Sequence, residues 1–144
     1  MNSSEPFYKA FRGNFSSILS WQQLDEFWGV MRDKADAGWY IYAIGTPVPT
    51  QTSSTENVVK FVNEVGALLR KEHYEDYCGI VYTDSKQDPA LVKIFDPDNL
   101  GVSCGFSNNP PLPGWVLSLV PPQPLETKRP LPAGRLRWWQ SLWP

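Results

Sequence analysis

Two stretches of the chain repeat apolar side chains with helical spacing. The first opens at Ser20, and Gln23 follows three residues later, which is the spacing of a capping box. The second opens at Ser54 or Thr55 and fades around His73. The apolar positions are Trp21, Leu24, Phe27, Trp28, Met31 and Ala35 in the first stretch, and Val58, Phe61, Val62, Val65, Leu68 and Leu69 in the second. Both patterns predict amphipathic helices that bury one face.

Short runs of aromatic and β-branched residues lie between and after these helices. Their length and composition are typical of strands, and most lack polar alternation, which indicates burial on both faces. The pattern predicts strands at residues 39–44, 77–83, 91–95 and 115–120, with a further short strand at 102–106. On the first strand, alternation places Trp39, Ile41 and Ala43 on one side and Tyr40, Tyr42 and Ile44 on the other.

The order of these elements predicts the topology. The strands at 39–44 and 77–83 flank the second helix, so we expect a right-handed crossover between parallel strands. The later strands then add as antiparallel hairpins. The expected fold is α/β, with α+β as the alternative: a mixed sheet of four or five strands, one parallel strand–helix–strand unit and two main helices.

The N-terminal aromatic residues have a spacing of their own. Phe7, Phe11 and Phe15 lie four residues apart, and Pro6 suits the first turn of a helix. Gly13 disfavours a long helix. We expect a short helix or an irregular arm that packs its rings on the body of the protein.

Composition separates the C-terminal end from the rest of the chain. Nine of the fourteen prolines lie at or after Pro110, which predicts an extended, polyproline-like tail from Pro121 onward. Residues 1–126 hold nine basic and fifteen acidic side chains, a charge of −6, whereas residues 127–144 hold four basic and no acidic ones. We therefore expect one domain over 1–120 and a basic, aromatic tail over 121–144.

The tail is the main candidate for partner binding. Its candidate contact residues are Arg135, Arg137, Trp138, Trp139 and Trp143. Such a patch is rarely left in water, so it should dock on its own body, on a second copy of the chain or on another protein. The first hypothesis is a non-catalytic interaction or accessory domain, in which deletion of residues 127–144 leaves the body folded and abolishes partner binding. The acidic body argues against nucleic acid as the partner.

The loop at 45–55 supports an alternative hypothesis, in which the protein is a small-molecule binding protein or an enzyme with a site for an anionic ligand at this loop. A loop that leaves the carboxyl end of a parallel strand and enters a helix N-terminus is a common place for ligands. The candidate ligand-binding residues are Thr50, Thr52, Ser53, Ser54 and Thr55, with Tyr40 and Tyr42 nearby. No phosphate-binding glycine motif accompanies them, so a polar loop with a helix cap explains the same residues.

Other kinds of chemistry find little support in the sequence. With Cys78, Cys104 and one His, the chain lacks the ligands of a zinc site, and we expect no metal and no cofactor. Cys78 lies in an apolar strand and is interpreted as a core residue, while Cys104 is a weak candidate nucleophile. Residues 96–101 resemble a calcium loop only superficially and are interpreted as a turn. No catalytic residue is assigned. The chain has no apolar run long enough for a membrane span, and its free thiols suit the cytoplasm.

Overall fold

The computed structural model describes residues 5–73, 78–97, 112–125 and 133–143. Four helices and five strands lie in these ranges. In chain order they are α1 (Glu5–Phe11), β1 (Ser16–Ile18), α2 (Trp21–Asp33), β2 (Tyr40–Ala43), α3 (Thr55–Glu72), β3 (Val81–Thr83), β4 (Leu91–Ile94), β5 (Trp115–Ser118) and α4 (Ala133–Ser141). The predicted strand at 102–106 lies outside the described residues.

The two long helices begin where their capping residues predict. The Ser20 hydroxyl accepts a hydrogen bond from the Gln23 backbone N–H at 3.0 Å, and the Gln23 side-chain oxygen accepts one from the Ser20 N–H. The Ser54 hydroxyl accepts from the Asn57 N–H at 3.1 Å. Each cap gives an orphan N–H group of the first turn a partner, which fixes the helix start.

The strands form one sheet in the order β1-β3-β4-β5-β2, and every neighbouring pair is antiparallel. The α+β alternative therefore fits the structure, and the later strands do pair as antiparallel neighbours. The expected parallel strand–helix–strand unit and the mixed sheet are wrong. The two strands that this unit would have joined, β2 and β3, run in opposite directions and are separated by β4 and β5.

The loop between β2 and α3 explains this difference. Instead of entering the helix at the far end of β2, the chain turns back, and the Ser53 N–H donates to the carbonyl oxygen of Trp39 at 2.8 Å. Because Trp39 precedes the first residue of β2, α3 starts beside the start of that strand. The 18 residues of α3 span about 27 Å. The helix therefore carries the chain to the other end of the sheet, and β3 begins there and runs in the direction opposite to β2.

The two faces of the sheet carry separate apolar clusters. Helices α2, α3 and α4 cover one face, where Trp39, Ile41 and Ala43 belong to the larger cluster. On the other face, Tyr42 and Ile44 belong to a smaller cluster that α1 and the segment around Leu125 cover. The alternation predicted for this strand is confirmed.

The sequence predicts a C-terminal tail that is extended from Pro121 onward. In the structure, only part of this tail lacks helix and strand. Residues 121–125 form neither helix nor strand, but residues 133–141 form α4. This segment holds no proline. Helical geometry brings Trp138 and Leu142, four residues apart, onto one face, and both contact the larger cluster. Burial of this face against the body of the protein stabilises the helix. The sequence did not predict this helix because the neighbouring prolines favour an extended chain.

Candidate functional site

The tail docks on the body of the protein through a buried arginine. The Arg135 side chain is only 6% exposed, and its Nε and one terminal nitrogen donate to the two Asp96 carboxylate oxygens at 2.6 and 2.9 Å. The same terminal nitrogen donates to Glu72 on α3. Burial acts to lower the pKa of Arg135, but the hydrogen bonds and charges of Asp96 and Glu72 raise it above its ordinary value. The guanidinium therefore stays charged and joins α4 to the sheet and to α3.

The indoles of the tail complete this docking. Trp138 meets Trp115 edge-on with ring centres 5.4 Å apart, and Trp139 meets Phe61 at 6.1 Å. Trp143 packs against Trp139 at 5.3 Å. The body of the protein thus supplies a surface for all three predicted partner-binding tryptophans, which remain partly exposed, while Arg137 is exposed. Binding of a partner by these residues stays a prediction.

The predicted ligand-binding residues lie on two sides of the sheet. Ser54 caps α3, and the exposed residues Thr50, Thr52 and Thr55 lie in or beside the loop that leads to it. Tyr42 belongs to the cluster on the opposite face, where its hydroxyl accepts from the Leu125 N–H at 3.1 Å. Tyr40 shares that face by alternation. The antiparallel sheet removes the topological reason for a site here, and the ligand-binding role of these residues stays a prediction.

Cys78 lies in the core, as the sequence suggested. The side chain is fully buried, and burial raises the pKa of its thiol, which disfavours the reactive thiolate. His73, five residues earlier, shares a hydrogen bond between its Nε2 and the Cys78 carbonyl oxygen at 2.9 Å. Cys104 lies outside the described residues. Asp96, the first residue of the calcium-like loop, binds Arg135.

A cleft between α2 and α3 is a surface feature that the sequence did not reveal. Its volume is about 200 Å³, and we call it the Trp28 cleft. The lining residues are Asp25, Trp28 and Arg32 from α2, and Val62, Asn63, Gly66, Ala67 and Arg70 from α3. Polar bridges join the helices at its two ends: Arg32 donates to the Asn63 side-chain oxygen at 2.9 Å, and Arg70 donates to the Asp25 carboxylate at 2.7 Å.

The indole nitrogen of Trp28 lies in the wall of this cleft. The residue is 4% exposed, and its Nε1–H has no acceptor among the residues that the structure describes. A buried donor without a partner costs about 1–3 kcal/mol. Trp115 has an unpartnered indole nitrogen as well, but it lies in the core under Trp138 and lines no described cleft. The Trp28 donor is the one that a ligand in a cleft could satisfy.

Gly66 creates the space beside this donor. A Cβ at Gly66 would lie 3.0 Å from Trp28 Nε1, which is hydrogen-bond distance from the indole nitrogen. Any other residue here would fill that space with carbon. The missing side chain therefore leaves this side of the indole nitrogen clear of carbon, but Nε1 is covered in the structure, so an acceptor reaches it only when the cleft opens further.

The charge of the cleft favours an anion. Arg70 is held by Asp25 and lies over the Trp21 ring, 5.1 Å from its centre. Arg32 bonds a neutral amide oxygen, and within the described part of the chain no carboxylate lies within salt-bridge distance of it. The two arginines and one aspartate leave a net positive charge, and Arg32 is the cation available to a ligand.

Sequence reasoning assigned Trp28 to the core and did not single out Gly66. The available signal was a glycine in the middle of a strong helical pattern, which often has a packing reason. Its relation to Trp28 depends on the register of two helices in space, and the sequence alone does not give that register.

Comparison of the chain with models of known families, with curated proteins and with solved structures found no match. Within the described ranges, no helix combines the length and apolar character needed to cross a bilayer. No group of three or more His, Cys, Asp and Glu side chains there is arranged to hold a metal ion.

Proposed function

We propose that this protein is a non-catalytic interaction domain that binds a carboxylate of a partner protein in the Trp28 cleft. The observation that carries the proposal is the buried Trp28 indole N–H, which lacks an acceptor in the described structure and lies beside the space left by Gly66. A carboxylate oxygen in that space accepts from Nε1, and a second oxygen accepts from Arg32. Such charge-assisted hydrogen bonds are about twice as strong as neutral ones.

The size of the cleft favours a side chain over a larger ligand. Pockets for drug-sized molecules usually measure about 300–1,000 Å³, whereas this cleft measures about 200 Å³. An aspartate or glutamate side chain on the surface of a partner fits this volume. The open groove between two exposed helix faces leaves room for the rest of the partner outside.

Entry requires one side chain to move. Nε1 is covered in the structure, and Arg70 is fixed by both Asp25 and Trp21. Arg32 is exposed and its described hydrogen bond is to the neutral Asn63 amide, so we infer that it is the side chain that moves and then pairs with the incoming carboxylate. Side-chain rotamer changes of this kind are common when proteins bind.

A pair of matched probes tests the proposal: N-acetyl-aspartate N-methylamide and its asparagine counterpart, titrated into the full chain and followed by backbone amide NMR shifts in α2 and α3. The aspartate compound should bind roughly tenfold more tightly, since a hydrogen bond to a charged group contributes about 1.5–3 kcal/mol and a neutral one about 0.5–1.5 kcal/mol. Arg32→Gln should abolish that preference. The matched control is Arg137→Gln, because Arg137 is also exposed but lies on α4.

Two results would refute carboxylate binding at this cleft. One is equal affinity for the aspartate and asparagine compounds. The other is an equal effect of Arg32→Gln and Arg137→Gln on the aspartate titration. Both variants alter exposed side chains and are expected to leave the fold intact, so a loss of binding would not reflect unfolding.

The tail remains a second candidate contact surface. It is favoured by the exposed Arg137 and by the partly exposed faces of Trp138, Trp139 and Trp143, since Trp and Arg are enriched at binding hot spots. On this hypothesis the partner is another protein or a second copy of the chain. Sedimentation of the full chain and of Arg137→Glu tests self-association, which the variant should weaken. A monomer at every concentration would exclude the second copy.

The buried free thiol of Cys78 supports the accompanying proposal of a cytoplasmic location.

A further inference from the structure

The two polar bridges of the Trp28 cleft frame an open stretch of the α2–α3 pair. One bridge joins Arg32 to Asn63, and the other joins Asp25 to Arg70. Because residue numbers rise along α2 while they fall along α3 from one bridge to the other, the two helices run in opposite directions. On each helix the bridges are seven residues apart, from 25 to 32 and from 63 to 70, which corresponds to about 10.5 Å. This spacing is close to the diameter of one α-helix with its side chains, about 10–12 Å.

Small residues occupy the middle of this stretch on both helices. Gly29 lies on α2, and Gly66 and Ala67 lie on α3. A Cβ at Gly29 would meet no atom within 4 Å, and Ala67 is exposed. A glycine is unfavourable in the interior of a helix, yet each of the two helices carries one at this level. Without large side chains here, the backbone of a partner can approach both helices closely.

We propose that the partner segment that docks on this stretch is an α-helix of another protein, which crosses α2 and α3 between the two bridges. A central Asp or Glu of that helix supplies the carboxylate, so this inference rests on the proposed function. The buried Trp28 indole N–H, which has no acceptor in the described structure, marks the stretch as a binding site. The charge agrees, because the two arginines and one aspartate of the cleft leave a net positive charge opposite an acidic side chain.

The backbone of α2 and α3 favours a helix over an extended segment as the occupant. The interior N–H and C=O groups of both helices are bonded within the helices themselves. An extended segment laid over them would therefore find no backbone partners for its own N–H and C=O groups, which are costly to bury without partners. A helix bonds these groups internally and presents only side chains to the groove.

Three capped peptides, titrated into the full chain and followed by backbone amide NMR shifts in α2 and α3, test the proposal. The first is an alanine- and glutamine-rich peptide of about 20 residues, long enough to be helical in water, with one central aspartate. The second has asparagine in place of the aspartate, and the third keeps the aspartate but contains two prolines that break the helix. The helical aspartate peptide should bind roughly tenfold more tightly than N-acetyl-aspartate N-methylamide, because its alanine side chains bury additional apolar surface. The broken peptide should bind no more tightly than that compound.

A pair of variants locates the helix on the rim of the cleft. Ala67→Gln adds a longer side chain on the rim and should weaken the helical peptide roughly tenfold, because overfilling a packed contact is unfavourable. The small aspartate compound should keep its affinity in this variant, since it lies below the rim. The matched control is Glu64→Gln, which introduces the same side chain at an exposed position of α3 that does not line the cleft.

The outcomes separate the helix from the carboxylate. Equal affinity of the helical and broken aspartate peptides, or equal effects of Ala67→Gln and Glu64→Gln, would overturn the helix as the occupant and leave carboxylate binding intact. Equal affinity of the helical aspartate and asparagine peptides would refute the carboxylate, and with it both the proposed function and this inference. Shifts of the α2 and α3 amides that appear when the chain alone is concentrated would assign the stretch to a second copy and overturn the docking of another protein.

Discussion

Gly66 on α3 faces the Trp28 indole on α2 so closely that a Cβ would lie 3.0 Å from Nε1 and 3.4 Å from Cδ1. A side chain at this position would therefore press on the indole, and glycine avoids that contact. It also costs stability, because a helix-interior glycine is about 1 kcal/mol less favourable than alanine. We interpret the position as one where the cleft, and not helix stability, decides the residue.

Substitution Gly66→Ala should therefore stabilise α3 less than its helix propensity suggests, and it should close the binding space. The matched control is Gly29→Ala on α2, where a Cβ would meet no atom within 4 Å. We expect Gly29→Ala to raise the free energy of unfolding by about 1 kcal/mol. Gly66→Ala should raise it by distinctly less or should lower it. Urea denaturation of both variants measures the difference, and equal gains would contradict the tight contact.

Arg135 should be one of the most sensitive positions in the tail. Arg135→Met leaves the carboxylate of Asp96, which is 4% exposed, without its bidentate partner. Removal of one member of a buried ion pair costs about 3–5 kcal/mol. Arg137→Met, two residues away and exposed, should change stability by about 0.5 kcal/mol or less. Similar denaturation midpoints for the two variants would show that Arg135 does not hold the tail.

The docked tail reverses an expectation from the sequence. Deletion of residues 127–144 was expected to leave the body folded, but Arg135 and Leu142 are buried in the structure, Leu142 within the larger apolar cluster. The truncated chain should lose several kcal/mol, and Leu142→Ala alone about 2–5 kcal/mol. Near-ultraviolet circular dichroism and thermal melting of both proteins measure the loss. A truncated chain that melts like the full chain would favour the tail as a free contact element.

Lys93 should make stability depend on pH in a defined window. Its folded pKa of about 8 lies below the unfolded value of 10.5, so between these values the unfolded chain binds more protons and stability rises with pH. Below pH 8 both states are protonated and the charge penalises folding by a constant amount. Because the side chain is partly exposed and screened by solvent, the gain should be on the order of 1 kcal/mol.

Comparison with Lys93→Met isolates this effect, because the other titrating groups cancel. The free energy of unfolding of the native chain, relative to that of the variant, should rise between pH 8 and 10.5 and stay level from pH 6 to 7.5. Urea titrations at each pH supply the values. If the difference in the free energy of unfolding between the native chain and Lys93→Met stays level or falls between pH 8 and 10.5, burial does not disfavour the charged amine.

Local patterns in the sequence predicted much of the secondary structure but not its arrangement. Ser20 and Ser54 marked the starts of α2 and α3, since capping is a local interaction. The sheet order depended on where the loop before α3 leads, which a single backbone bond from Ser53 to Trp39 reveals. The strand Ser16–Ile18 has only three residues, two of them serine, so its pairing with β3 left no pattern to read.

The Trp28 cleft could not be predicted from the sequence, because it too depends on how elements are arranged in space. The Trp28 cleft depends on which residues of α3 face α2, and the apolar pattern of each helix fits several registers. The tail residues were found from composition, because three tryptophans beside arginines are conspicuous in any chain. Composition did not show that Arg135 would meet Asp96 and Glu72.

The indole N–H resonance of Trp28 tests the central claim most directly. It is assigned in the ¹H–¹⁵N spectrum of the full chain by its absence in Trp28→Phe and then followed during titration with N-acetyl-aspartate N-methylamide. We predict a saturable downfield shift as the indole gains an acceptor, retained in Gly29→Ala and lost in Gly66→Ala. An indole resonance that stays in place while the compound binds, or that shifts equally in Gly66→Ala, would contradict carboxylate binding at this cleft.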